Sequence, residues 1–286
     1  MPILIMWGCL FYFGRHEVAA HEVSVSWLNA LLCLPLLVIV HAGGNMVSDY
    51  FDHTRGVDPK GGPNGVTWIH DGTFLPKEIL HYGLTLLAVA MPIGLFLLYN
   101  SSWNALWIGI AGMLLSVIYP WMKAHFLGDA NILASFALLP AVGTAFVATD
   151  HYAPNVLLFI LPLGLLTVAI LHANNTRDID NDHRAGLKTL CAAMGLKGSK
   201  VVYALEVLLP YVLTMLFVLL MKQPWTLLLV LLTLPLAIRN VRSMAQADGS
   251  KPHLGIAQLD KGSAQLQMVF GLLFTLGYFA GGWLGI

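Results

Sequence analysis

Long apolar runs separated by short polar segments make up most of this chain. Nine runs can be read, at 2–14, 25–48, 79–99, 103–121, 130–149, 154–174, 200–221, 223–240 and 264–286. Most approach the roughly 20 residues that a helix needs to cross a bilayer. The pattern predicts an all-α, polytopic membrane protein with nine transmembrane helices, of which the first is short. That first run has neither a charged leader nor a small-residue cleavage site, so we do not expect a secretory signal peptide.

The composition supports a membrane protein. Of the 286 residues, 57% are hydrophobic and only 10% are charged, against roughly 25% charged residues in soluble domains. The polar segments are too short for a soluble domain, so we predict one transmembrane domain over residues 1–286. The lipid bilayer is its expected surroundings, and no nucleic-acid partner is expected. The three cysteines form no CxxC pair, which favours apolar packing over a disulfide framework or a zinc site.

The cations are concentrated on one side of the predicted membrane. Thirteen of the 15 Lys and Arg residues fall in the even-numbered connections between predicted spans or at the span ends beside them. The positive-inside rule places those connections in the cytoplasm. We therefore predict a multi-pass protein of the cell (inner) membrane, with its N-terminus inside and its C-terminus outside.

Two segments that this orientation places in the cytoplasm, 45–58 and 174–189, carry six of the 15 acidic residues. Each contains one amide and two carboxylates at helical spacing, namely Asn45, Asp49 and Asp52 in the first and Asn174, Asp178 and Asp182 in the second. Residues three, four or eight apart share a helix face, whereas Asp180 would point away. Carboxylates at a membrane are functional candidates by default. Their mutual repulsion favours a bound divalent cation, and Mg²⁺ suits oxygen ligands shared with a diphosphate.

Cations lie beside both acidic segments. Arg177 lies inside the second segment, Arg184 and Lys188 follow it, and Lys123 closes the fourth run. Anion and metal recognition need both signs of charge at close quarters. Lys and Arg also accumulate in cytoplasmic loops that bind no ligand. The positive-inside bias alone would therefore explain any single one of these cations. Gly43 and Gly44, just before the first segment, are predicted to permit close helix packing.

The two segments resemble motifs of the UbiA superfamily of intramembrane prenyltransferases. NMVSDYFDHTRGVD looks like the family's N-x-x-x-D-x-x-D form. NNTRDIDNDHRAGLKTL is similar to the N-N-x-R-D-x-x-x-D-x-x-x-G-K-x-T-L form of the branch that prenylates 1,4-dihydroxy-2-naphthoate in menaquinone synthesis, with Leu187 inserted before Lys188. The resemblance implies nine transmembrane helices around a central cavity, in which both motifs bind the diphosphate of an isoprenoid donor through Mg²⁺.

The resemblance also implies roles for individual residues. The metal ligands would be Asn45, Asp49, Asp52, Asn174, Asp178 and Asp182, and the four aspartates among them would be the catalytic residues. The diphosphate would be bound by Asn45 and Asn174 and by Tyr119, Lys123, Arg177 and Lys188. The implied reaction is Mg²⁺-dependent transfer of a polyprenyl group from a polyprenyl diphosphate donor to an aromatic acceptor. The connection over 53–78 is expected to cover the cavity and exclude water.

Two alternatives stay open at this stage. The stretch Ile118-Tyr119-Pro120-Trp121 is closer to the YPxxK form of 4-hydroxybenzoate-type members, and no cation precedes Arg15 on the first helix. The acceptor could therefore be 4-hydroxybenzoate or another aromatic compound. A cation-coupled membrane transporter is the alternative from a different class. It predicts carboxylates at mid-depth in broken helices, whereas the carboxylates of the two segments follow the ends of apolar runs.

Overall fold

The protein is predominantly helical in the ranges that the computed structural model describes, which are residues 1–16, 24–55, 68–184, 188–249 and 255–286. These ranges contain no β-strand, and their one isolated bridge joins His125 to Lys188. The α-helices are α1 Pro2–His16, α2 Trp27–Arg55, α3 Pro76–Asn100, α4 Ala105–Lys123, α5 Gly128–Leu133, α6 Leu139–Thr149, α7 Asn155–Arg177, α8 Ile179–Arg184, α9 Leu190–Leu220, α10 Leu234–Ala245 and α11 Leu259–Leu284. The predicted all-α class is confirmed.

Seven helical segments are long and apolar enough to cross a membrane. Two shorter apolar helices, Pro2–Arg15 and Ala105–Tyr119, stand where the first and fourth spans are predicted. The chain is thus a multi-pass membrane protein. The count of nine crossings is consistent with these helices and stays a prediction.

Several predicted spans are less regular than their apolar pattern suggests. A π-helical turn, Ala134–Leu138, joins α5 to α6, and a 3₁₀ segment, Trp225–Thr233, leads into α10. A proline stands in the first turn of both α6 and α10. Proline has no backbone N–H to donate into the preceding turn, which is consistent with irregular helix at both junctions. The seventh predicted span begins earlier than expected, at Leu190, and is interrupted at Gly195, whose φ of 65° suits glycine.

The chain divides into two compact units, and the prediction of one domain over 1–286 stays a prediction. The larger unit comprises Met1–Ser26 and Asn104–Ile286. In its core α7 packs against α9 and α11. Aromatic side chains fill this core, and Tyr203, Phe270, Phe274 and Tyr278 are fully buried. Large aromatic side chains dominate packing energies, so this core fixes the position of α7, whose end carries the second acidic segment.

The smaller unit, Trp27–Trp103, consists of α2 and α3 and is called the α2–α3 unit below. The two helices approach closely at Gly43 and Gly83. A Cβ atom built on either glycine would lie 2.9 Å from the backbone oxygen of the other. The predicted packing role is confirmed for Gly43 and wrong for Gly44, where a built Cβ meets no described residue within 4 Å. At the other end of the pair, Asn100 Nδ2 donates to Asn29 Oδ1 at 2.7 Å.

Candidate active site

The second acidic segment continues the helical path of α7. α7 ends at Arg177, Asp178 caps it, and α8 begins at Ile179. The backbone N–H of Asp178 donates to Asn174 O at 3.1 Å, and that of Asp182 donates to Asp178 O at 2.8 Å. The four-residue hydrogen-bond spacing therefore persists from Asn174 to Asp182, which is the condition on which the predicted shared face depends. Asp180, predicted to point away from that face, is exposed.

Arg177 is held by several acceptors in this segment. Its Nε donates to Asp178 Oδ1 and its Nη2 to Asp178 Oδ2, both at 3.2 Å. Nη2 also donates to Asn174 Oδ1, and Nη1 donates to Asp260 Oδ2 at 3.3 Å. A two-pronged guanidinium contact fixes the orientation of a carboxylate as well as its charge. Arg177 thus orients Asn174 and Asp178, and Asp260, which the sequence reasoning missed, holds Arg177 from α11.

Asp182 is the most enclosed carboxylate of the segment, with only 6% of the residue exposed. The hydroxyl of Thr189 donates to its Oδ2 at 3.1 Å and accepts from the N–H of Ala192, which caps the start of α9. Burial raises the pKa of Asp182, and the nearby carboxylate of Asp178 adds to the rise. Lys123 and the Thr189 hydrogen bond oppose it. The sequence reasoning missed Thr189 as a functional residue, although Thr189 lies within the second acidic segment.

The other predicted diphosphate residues of the larger unit come from α4 and the start of α9. Lys123 ends α4, one turn after Tyr119, and is close enough to Asp182 to influence its charge. The Tyr119 phenol lies within electrostatic reach of Asp182 as well. Lys188 is exposed, and its carbonyl accepts from the N–H of Phe126 at 2.9 Å, which ties it to the turn after α4. In the larger unit, Asp182 therefore has both positively and negatively charged side chains in its surroundings.

The first acidic segment lies in the α2–α3 unit. α2 runs without interruption to Arg55, so Asn45, Asp49 and Asp52 are on one continuous helix, as predicted. Asn45 is exposed, with Nδ2 3.3 Å from His41 Nε2, and Asp49 is half-buried. The side chain of Asp52 and residues 56–67 of the predicted covering connection lie outside the described residues. Joint binding of one diphosphate by the two segments stays a prediction.

The donor set of the second segment fits Mg²⁺. Its side chains offer carboxylate and amide oxygens, the ligands that this hard cation takes. Burial is the main reason that the pKa of Asp182 is raised, and the nearby Asp178 carboxylate adds to the rise. A bound divalent cation would offset both effects. Asn174, Asp178 and Asp182 are therefore the residues of the larger unit that would hold it.

A second cluster of titratable residues was missed by the sequence reasoning. Asp129, His172 and Glu206 come together deep among α5, α7 and α9. Their signal in the sequence was available, because His172 and Glu206 stand inside apolar runs where ionisable residues are rare.

Comparison with known proteins gives one consistent result. The sequence profile described as "UbiA prenyltransferase family" matches residues 6–255. The chain is 30% identical over 265 residues to UbiA prenyltransferase domain-containing protein 1 of Danio rerio, covering 90% of this chain and 75% of that protein. It is 28% identical over 276 residues to 1,4-dihydroxy-2-naphthoate octaprenyltransferase of Bacillus subtilis, covering 91% and 84%.

Solved structures show the same fold. A UbiA homolog from Aeropyrum pernix K1, in its apo form, matches with a TM-score of 0.63 and 13% identity, covering 98% of both chains. A structure of digeranylgeranylglyceryl phosphate synthase matches with a TM-score of 0.59 and 18% identity, covering 98% of this chain and 94% of that one. At these identities the similarity bears on the fold alone.

Proposed function

Because the chain belongs to the UbiA prenyltransferase family, we propose that it transfers a polyprenyl group from a polyprenyl diphosphate to 1,4-dihydroxy-2-naphthoate, with Mg²⁺ as cofactor. The observation that carries the proposal is the arrangement of Asn174, Asp178 and Asp182 along one helical path. Arg177 orients Asn174 and Asp178, and Lys123 is an electrostatic neighbour of Asp182. The acceptor is supported by the motif form of segment 174–189 and by the similarity to the Bacillus subtilis enzyme.

The six ligand positions act in this proposal as two sets on one donor diphosphate. Asn45, Asp49 and Asp52 bind it from α2, and Asn174, Asp178 and Asp182 bind it from the end of α7. Tyr119, Lys123 and Lys188 contribute further contacts to the diphosphate oxygens. Arg177 acts through Asn174 and Asp178, since its guanidinium is already bonded to both side chains.

The chemistry follows from where charge develops. Bound Mg²⁺ would neutralise the leaving diphosphate as the bond between C1 and oxygen breaks. Lys123 adds a positive charge at the same place, and groups held ready in this way need no reorganisation during the reaction. The electron-rich ring then forms a bond to C1 of the allylic group. The allylic group carries a positive charge once the bond between C1 and oxygen breaks, and apolar surroundings keep water from reacting with it. In the menaquinone branch the ring carboxyl group leaves as CO₂.

Pyrophosphate release tests the proposed reaction. Membranes containing the protein, supplied with polyprenyl diphosphate, 1,4-dihydroxy-2-naphthoate and Mg²⁺, should release pyrophosphate and form the prenylated product. Asp49→Asn and Asp178→Asn should each lower the rate by about 100-fold or more, a loss typical of removing one preorganised charge-stabilising group. Asp180→Asn, an exposed aspartate of the same segment, is the matched control and should keep nearly the wild-type rate.

An acceptor panel, read by mass spectrometry, tests the substrate. Product should form from 1,4-dihydroxy-2-naphthoate and not from 4-hydroxybenzoate. Prenylation of the benzoate alone would contradict the proposed acceptor and leave the prenyltransferase activity intact. Absence of pyrophosphate release with every acceptor, or equal rates in wild type and both aspartate variants, would contradict the proposed use of the two motifs.

A further inference from the structure

Three ionisable side chains from three helices meet inside the larger unit. Asp129 stands in the first turn of α5, His172 in the last two turns of α7, and Glu206 in the middle of α9. His172 is fully buried, and the side chains of Glu206 and Asp129 are only 9% and 14% exposed. Such groups are costly in an apolar interior unless a counter-charge or hydrogen bonds compensate them.

Both carboxylates approach the same nitrogen of the imidazole ring. His172 Nδ1 lies 3.2 Å from Glu206 Oε1 and 3.9 Å from Asp129 Oδ2. The three ligand atoms all lie within 4.8 Å of one another. A proton on Nδ1 points in one direction and serves one acceptor, so it cannot satisfy both carboxylates at once.

Polar atoms of all three residues are buried without a hydrogen-bond partner in the part of the chain that the structure describes. They are Asp129 Oδ2, Glu206 Oε2 and His172 Nε2. A buried carboxylate oxygen without a compensating partner is strongly destabilising. Even a protonated His172 would bring one positive charge to two carboxylates, with its Nδ1–H within hydrogen-bond distance of Glu206 alone. Among the described residues, the triad of Asp129, His172 and Glu206 therefore lacks a full counter-charge.

We propose that Asp129, His172 and Glu206 bind one divalent transition-metal ion, with Zn²⁺ the best match. Bonds of about 2.0–2.2 Å from Zn²⁺ to nitrogen and carboxylate oxygen place ligand atoms roughly 3–4 Å apart, the range in which the two measured separations, 3.2 and 3.9 Å, fall. Two carboxylates and one neutral imidazole carry the charge that a divalent cation neutralises. The ring proton then resides on Nε2, and a fourth coordination position stays open.

This ion is separate from the Mg²⁺ of the proposed function. His172 precedes Asp178 by six residues on one helical path, which corresponds to roughly 9 Å along the axis. An imidazole ligand favours Zn²⁺, whereas the all-oxygen set of the acidic segments favours Mg²⁺. The ion joins α5, α7 and α9, so it braces the helix whose end carries Asn174 and Asp178.

Metal content of the purified full-length protein in detergent tests the proposal. After chelator treatment, Zn²⁺ loading and desalting, elemental analysis should find about one Zn²⁺ per chain. An Asp49→Asn/Asp178→Asn double variant should keep that ion, because its aspartates belong to the other site. Glu206→Gln and His172→Asn should lower the bound Zn²⁺ at least about tenfold, the usual effect of altering metal-site residues.

Tyr203→Phe is the matched control for these variants. Tyr203 is buried next to the triad, with its ring 6.4 Å from that of His172, and its hydroxyl bonds Ser263. The variant should retain the ion. Zn²⁺ should also raise the unfolding temperature of wild type and Tyr203→Phe but not that of Glu206→Gln, because only a protein with the site gains stability from binding.

X-ray absorption at the zinc edge decides the matter on wild-type protein, even if a triad variant fails to fold. Nitrogen and oxygen neighbours alone are expected. A sulfur neighbour would assign the ion to a cysteine and overturn the proposed ligand set. Absence of Zn²⁺ from loaded wild type, or equal Zn²⁺ in wild type and Glu206→Gln, would overturn the site, whatever the prenyltransferase assay shows.

Discussion

The surroundings of Asp182 shift its pKa in opposite directions. Burial and Asp178 raise its pKa, while Lys123 and the hydroxyl of Thr189 lower it. The charged form is the one that binds a metal ion. The contact between Thr189 Oγ1 and Asp182 Oδ2, 3.1 Å long, therefore keeps the carboxylate available for the proposed Mg²⁺ site.

Replacing Thr189 with Val should weaken Mg²⁺ binding. The pKa of Asp182 rises further when the donor is lost, so the protonated form persists to higher pH. The Mg²⁺ concentration for half-maximal pyrophosphate release should increase about tenfold, since a hydrogen bond to a charged group contributes roughly 1.5–3 kcal/mol. The increase should be largest at low pH and shrink as the pH rises above the pKa of Asp182. Titrations at several pH values measure it.

Thr189→Ser is the control for this variant because it keeps both the hydroxyl donor and the cap on Ala192 N–H. It should give nearly the wild-type Mg²⁺ dependence. If Thr189→Val needs the same Mg²⁺ concentration as wild type for half-maximal pyrophosphate release across the pH range, the hydrogen bond does not affect Mg²⁺ binding.

At the scale of elements, the α2–α3 unit depends on a glycine contact. The Cβ of a residue at position 83 would meet Gly43 O at 2.9 Å and Val47 Cγ2 at 3.0 Å. Backbone cannot yield as a side chain does, so Gly83→Val should force the helices apart. Overpacking of this kind costs about 1–3 kcal/mol. The unfolding temperature in detergent should fall by several degrees, at roughly 2–4 °C per kcal/mol for a protein of this size class.

Gly44→Ala is the matched substitution, because a Cβ at position 44 meets nothing within 4 Å in the part of the chain that the structure describes. It should leave the unfolding temperature unchanged or raise it slightly, since alanine is the better helix former. Equal effects of the two substitutions would contradict a specific role for the contact between Gly43 and Gly83.

The elements also show where sequence reasoning succeeds and where it stops. Apolar runs locate the long helices because burial in lipid requires them, and the spacing from Asn174 to Asp182 follows from helical periodicity. The sequence could not distinguish Gly43 from Gly44, since that depends on the face that α3 covers. It also could not pair Asp260 with Arg177, or Asp129 with His172 and Glu206. Those contacts join segments distant in sequence, and only tertiary packing brings them together.

At the scale of the whole molecule, the side bias of the cations predicts how the chain is threaded through the membrane. Tyr152, between the fifth and sixth predicted spans, and Ala257, between the eighth and ninth, are both exposed. Three predicted spans separate them, so they should lie on opposite sides. The positive-inside rule places Tyr152 outside and Ala257 in the cytoplasm.

Cysteine labelling tests this threading. A membrane-impermeant maleimide should label Tyr152→Cys in intact cells and Ala257→Cys only after permeabilisation. The native Cys9, Cys33 and Cys191 are all buried, so the unsubstituted chain gives the background. A reversed pattern would contradict the cytoplasmic placement of the two acidic segments. Labelling of both positions in intact cells would contradict an odd number of crossings between them and, with it, the count of nine.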